Sequence, residues 1–204
     1  MDNLSWEQIE ELCAGLKGHC TIHPPSTMVD SQIALSSYPG FLACFIEKTA
    51  GIQIRNLIRL LGSGNTEIKR SVDYVTASLQ NAFEELPPLV VFADDVFGGH
   101  FLLFENEDEV VYFAPDALNL ENLDTSYEDF IRWCFTTSIL EFYQTFLWED
   151  YETFLTDIPF DKAVSIYPPL WANECEIQTA SKRIVPADEV FGVTVEILRQ
   201  LPEE

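Results

Sequence analysis

Positive charge is what this sequence has least of. Eleven Lys and Arg stand against 34 Asp and Glu, a formal net charge of −23, with a pI near 4.2. A surface this acidic repels phosphate backbones and anionic lipid, which sets nucleic-acid and membrane-surface binding aside. The N-terminus, Met1-Asp2-Asn3-Leu4-Ser5-Trp6-Glu7, lacks the basic and apolar segments of a secretory signal. Long apolar runs are missing too. The longest uncharged stretch of the first half, Ser31 to Ile46, contains Pro39 and Gly40 and is sixteen residues long, too short to span a bilayer. The expectation is a cytoplasmic protein without a transmembrane helix.

Histidine is scarce. His19, His23 and His100 are the only three, and no Ser-His-Asp or Cys-His set stands out for nucleophilic catalysis. The five cysteines, Cys13, Cys20, Cys44, Cys134 and Cys175, are odd in number and dispersed, as expected of reduced thiols. Cys13, His19, Cys20 and His23 invite a zinc reading, but C-x5-H-C-x2-H matches no common structural site and no second knuckle follows. No metal and no cofactor are expected.

What is present is a foldable chain. Hydrophobic residues make up 47% and charged residues 22%, which excludes wholesale disorder. Ser5-Trp6-Glu7-Gln8 has the form of a capping box and predicts a helix over about 5–17. Pro24-Pro25 predicts a loop, and Ser26 or Thr27 can cap a second helix running to about Ser36. The apolar run Phe41–Ile46 reads as a strand, as do Ile52–Ile54 with its continuation to Leu61. A helix is expected over about 71–83. Leu89–Ala93, His100–Phe104 and Glu109–Phe113 read as strands, the last two joined by a turn at Asn106-Glu107-Asp108. Ser126-Tyr127-Glu128-Asp129 is a second capping pattern, followed by Phe130, Trp133 and Cys134 at helical spacing. Pro186 opens a last helix over 187–201. The fold class expected is α+β, a mostly antiparallel central sheet flanked by helices, in one domain over 1–204 with helical N- and C-terminal extensions.

The charge is unevenly spread. Residues 81–161 hold Arg132 as their only basic residue and nineteen acidic ones, a balance of −18. Such a face serves either solubility or the docking of a basic partner.

The run from Leu89 to Phe135, LVVFADDVFGGHFLLFENEDEVVYFAPDALNLENLDTSYEDFIRWCF, resembles the SUKH superfamily, which includes yeast Smi/Knr-type regulators and many bacterial immunity proteins. Most of the chain is similar to a bacterial family of unknown function related to that superfamily. The segments carrying this are Thr49–Ser71, Phe113–Asp116, Ser126–Phe135 and Ser165–Trp171. The resemblance implies an α+β fold and protein binding rather than catalysis, and it supplies no catalytic residues. Where the superfamily has a Gly-rich loop after the second strand, this chain has Glu105-Asn106-Glu107-Asp108-Glu109.

Three sets of residues are candidates. Asp94, Asp95, Glu105, Glu107, Asp108 and Glu109, with Trp148 as an aromatic anchor, form the expected partner surface. Asp94 and Asp95 with His100 could instead bind a cation or act as acid and base. A turn in which Asp bonds its own backbone is the plainer account of the Asp pair. Gly62 and Gly64, with Arg70 nearby, could hold an anion, although the P-loop pattern is absent. The aromatic residues between Tyr127 and Trp171 read mainly as core. The favoured reading is a non-catalytic protein-binding module of SUKH-like type, which could be a bacterial immunity protein whose acidic surface neutralises a basic toxin. The alternatives are a hydrolase-like enzyme using Asp94, Asp95 and His100, and a scaffold self-associating through aromatics.

Overall fold

The structure, a computed structural model, describes residues 4–25, 31 and 33–200. The helix expected after Ser26 or Thr27 lies mostly outside the described residues, and Leu35–Ser37 form a single 3-10 turn. Helix α1 is Trp6–Gly15, and its capping box is complete, with Ser5 Oγ accepting from Gln8 N and Gln8 Oε1 accepting from Ser5 N. Strand β1 is Cys20–His23, helix α2 Gly40–Lys48, β2 Gly51–Ile54, β3 Ile58–Leu61 and helix α3 Val72–Ala82. Strands β4 (Leu89–Asp95), β5 (His100–Phe104), β6 (Glu109–Ala114) and β7 (Asn119–Ser126) follow. Helices α4 (Tyr127–Cys134), α5 (Ser138–Phe142) and α6 (Tyr151–Phe154) precede a separate hairpin of β8 (Lys162–Tyr167) and β9 (Ser181–Pro186). Helix α7 is Ala187–Leu198.

The first seven strands form one antiparallel sheet in chain order, β1 to β7, and β8 and β9 pair only with each other. This is the α+β architecture with a mostly antiparallel sheet. Strand β4 is buried along its whole length, as its unbroken apolar run requires. Its register shifts between Val91 and Ala93, so Phe92 is the extra residue of a bulge. Phe92 meets Tyr127 and Phe130 edge-on, with ring centroids 4.9 and 5.4 Å apart. The aromatic-rich third thus closes one face of the sheet.

Phe41–Ile46 is helical, not the strand its composition suggested. Phe41, Leu42, Phe45 and Ile46 are the buried positions, a helical stripe that a short apolar run cannot reveal by periodicity. Strands β1, β7, β8 and β9 lie outside the expected elements, and the expected strand from Ile52 to Leu61 is instead the antiparallel pair β2 and β3, turned at Arg55 and Asn56, both at positive φ. β7 has almost no apolar alternation and is mostly exposed, so its strand state depends on pairing with β6.

Candidate functional site

Asp94 and Asp95 close β4, and the structure withdraws both from the surface. Both residues are 0% exposed and His100 is 2% exposed, so none of the three is available to a partner as placed. Arg59, opposite Asp94 in the β3–β4 register, donates Nε to Asp94 Oδ1 at 2.6 Å. Arg70 donates Nε to Asp94 Oδ2 at 2.6 Å and Nη1 to Asp188 Oδ1 at 2.5 Å. Tyr74 OH donates to the other oxygen of Asp188 at 2.7 Å. Arg59 also donates to the carbonyls of Phe160, Lys162 and Asp95. The network therefore ties β3 and β4 to β8 and to the start of α7. Burial alone would raise the Asp94 carboxyl, but the charges of Arg59 and Arg70 outweigh it and hold Asp94 below its ordinary range.

Asp95 makes the turn its position suggests. Its Oδ1 accepts from Phe97 N at 2.8 Å and Gly99 N at 2.9 Å, while Oδ2 accepts from the hydroxyls of Tyr112 and Tyr143. Burial still raises its carboxyl despite these bonds. The pair is a structural junction whose acceptor oxygens are already occupied.

His100 packs against Phe191 with ring centroids 4.8 Å apart, and its Nδ1 is buried without a hydrogen-bond partner. Burial first, and Arg70 and Arg59 after it, lower its pKa from 6.5 to about 4 against the pull of Asp94. The unfolded chain therefore takes up this proton first as pH falls. The contribution of neutral His100 is complete above about pH 6.5 and is lost between there and about pH 4, on the order of 3 kcal/mol. Chemical denaturation across this window should show the stability of the native chain falling with acid and the slope flattening in His100→Phe. An unchanged slope would contradict this assignment.

The anion reading of the Gly62 turn is corrected in the same way. Arg70 is 5% exposed and already spent on Asp94 and Asp188. Gly62 is required by contact with backbone, because a Cβ there would lie 2.1 Å from the Thr49 carbonyl oxygen. Gly64 has φ +68, a turn conformation suited to glycine.

Trp148 is not a surface anchor either. It is 6% exposed, lies against Phe154, and is covered by the Lys182 ammonium 4.9 Å from its ring centroid. Cys13 and Cys20 form a disulfide, contrary to the reduced-thiol expectation, while Cys44, Cys134 and Cys175 are free. Among the described residues no group of three His, Cys, Asp or Glu could hold a metal ion. None of the described helices is long and apolar enough to cross a membrane.

The hairpin acids do reach the surface. Glu105, Asn106, Glu107, Asp108 and Glu109 are all exposed. Asn106 N donates to Ser37 O at 2.9 Å, and Tyr127 N donates to Asp108 O at 3.0 Å. These two bonds seat the turn between the 3-10 segment and the start of α4. The result is a cleft of about 580 Å³ whose acidic lining is Glu107 and Asp108 from the hairpin and Glu128 and Asp129 from α4. Arg132 is its one cationic lining residue among those described, 3.8 Å from Glu128. Glu109 sits beside the cleft and accepts from Asn122 Nδ2 at 2.9 Å.

Glu128 and Asp129 were absent from the candidate surface. Their signal was the capping pattern at Ser126, which places both in the first turn of α4. There the helix dipole favours negative charge. Some of their capacity is used locally, since Glu128 Oε2 accepts from Leu4 N at 2.7 Å and Asp129 Oδ2 from Ser126 Oγ at 2.9 Å.

A family model described as "Protein of unknown function DUF2625" matches residues 1–190. The chain belongs to the DUF2625 family. Its relatives include the uncharacterized protein YbfG of Escherichia coli K12, 26% identical over 202 residues, covering 93% of this chain and 90% of the relative. An uncharacterized protein of Haemophilus influenzae is 24% identical over 161 residues, covering 74% of this chain and 71% of that protein. DUF2625 membership agrees with the similarity to a bacterial family of unknown function.

Proposed function

We propose that this DUF2625 protein is a non-catalytic binding module that takes a basic partner protein through the acidic cleft between the β5–β6 turn and α4. The observation that carries this is the meeting of Glu107, Asp108, Glu128 and Asp129 around one cleft. Their combined field favours fast encounter with a cationic surface. The resemblance of Leu89–Phe135 to the SUKH superfamily supports the finer reading, in which the partner is a toxin and the chain its immunity protein. The hydrolase-like alternative draws no support from Asp94, Asp95 and His100, which are buried and, for the two Asp, engaged.

The expected cytoplasmic setting goes with reduced thiols, whereas the Cys13–Cys20 bond favours an oxidising one. Thiol counting on unfolded protein from native cells separates the two: five reactive thiols go with the cytoplasm and three with an oxidising compartment.

Capture from a native lysate tests the proposal. The wild-type chain should retain a basic protein at low salt and release it at high salt, and E107K/D108K should fail to retain it. Equal retention by the variant would remove the cleft from the account.

A further inference from the structure

Strand β7 is an edge of the seven-stranded sheet. It pairs with β6 on one side, and among the described residues no strand pairs with it on the other. An edge presents outward-facing N–H and C=O groups that another extended chain can use. Asn119 to Asn122 keep regular register with β6, opposite Ala114 to Val111, and all four are exposed. Beyond them the register shifts and Asp124 takes φ +50, so regular pairing on the outer side is confined to Asn119–Asn122.

Two further features adjoin this edge. The first is a cavity of about 390 Å³ where Leu123 faces Phe130, Trp133 and Phe142 of α4 and α5. Trp133 meets Phe130 and Phe142 with ring centroids 5.4 Å apart in each case, which makes an aromatic wall. The second is charge: Glu121 and Asp124 on the strand and Glu141 at the cavity make no ion pair among the described residues. Like charge on both edges opposes pairing of β7 with a second copy of itself, while a strand bearing Lys or Arg is attracted.

We propose that an extended, cationic segment of the partner protein adds to β7 as an eighth strand, with an apolar side chain of that segment seated against Trp133 and Phe142. Backbone bonds along Asn119–Asn122 supply the pairing, Glu121 and Asp124 select for positive charge, and the aromatic wall takes the anchor. β7 ends at Ser126, which itself lines the acidic cleft, so the added strand is continuous with that surface. The inference rests on the protein-binding reading above and specifies how the partner is held.

The test uses a short peptide alternating Lys and Val, and the same peptide with alternate backbone amides N-methylated, titrated by calorimetry into the full chain. The unmodified peptide should bind with an affinity that falls with salt. N-methylation and E121K/D124K should each weaken binding about tenfold or more, the equivalent of about 1.4 kcal/mol. Amide exchange at Asn119–Asn122 should slow in the complex, a readout that electrostatics alone would not give. If the methylated peptide binds equally well, or E121K/D124K has no effect while E107K/D108K abolishes binding, strand addition is overturned and the cleft reading stands. If the unmodified peptide does not bind at all, strand addition fails, and the lysate capture decides the cleft reading on its own.

Discussion

Asp94→Asn should be the most destabilising polar substitution in this protein, at about 3–5 kcal/mol, because it removes the charge that two buried guanidinium groups share. Asp94 holds Arg59 through one oxygen and Arg70 through the other, each at 2.6 Å. The neutral amide cannot accept at both oxygen positions, and its NH2 would face an Arg donor. Arg59 would remain attached to the carbonyls of β8 and of Asp95, but as an uncompensated charge. Arg70 would retain Asp188, which is more than half exposed and therefore weakened by solvent. Urea denaturation measures the loss. A change below about 1 kcal/mol would mean that the network is worth no more than surface pairs. The half-replacement Arg70→Met should cost less, since Asp94 keeps Arg59.

Gly62→Ala is the second large effect. The added methyl would lie 2.1 Å from Thr49 O and 2.8 Å from the Ala50 carbonyl carbon, both backbone atoms. Backbone cannot rotate away as a side-chain tip can, so the β3 end must separate from the segment before β2. The bonds at stake include Gly62 N to Ala50 O and Ser63 N to Thr49 O. Overpacking of this kind costs about 1–3 kcal/mol and occasionally more, and contact with three backbone atoms of Thr49 and Ala50 puts Gly62 at the upper end. Gly15→Ala is the control. It lies in α1 with nothing within 4 Å of the new methyl, and should stabilise by about 0.5–1 kcal/mol. Thermal denaturation of both variants should move the midpoint in opposite directions; equal shifts would contradict the packing argument.

Much of the fold is legible where local chemistry and tertiary packing agree. The caps at Ser5 and Ser126 announce α1 and α4 because side-chain hydroxyls meet helix N–H groups within three residues. The unbroken run of β4 and the hairpin of β5 and β6 are equally local. Phe41–Ile46 misleads because its residue types suit either state, and which face is buried depends on contacts such as Trp6 against Phe45. β7 is polar throughout and becomes a strand by pairing, a contact the sequence does not display.

The site divides in the same way. The abundance of acid around Glu107 and Asp108 is plain in the sequence, and so is a cap at Ser126. Their meeting is not, since it depends on Tyr127 N donating to Asp108 across nineteen residues. Asp94 and Asp95 look like surface acids by composition. Only the placement of Arg59, Arg70 and two tyrosines around them reveals a buried junction.

The most direct test of the acidic cleft is the affinity of the captured partner, measured at low and at high salt, for the wild-type chain and for E107K/D108K. In the wild type the affinity should fall steeply as salt rises, and the variant should bind much more weakly and with a shallower salt dependence. An affinity indifferent to salt, or a variant that binds as tightly as the wild type, would contradict it.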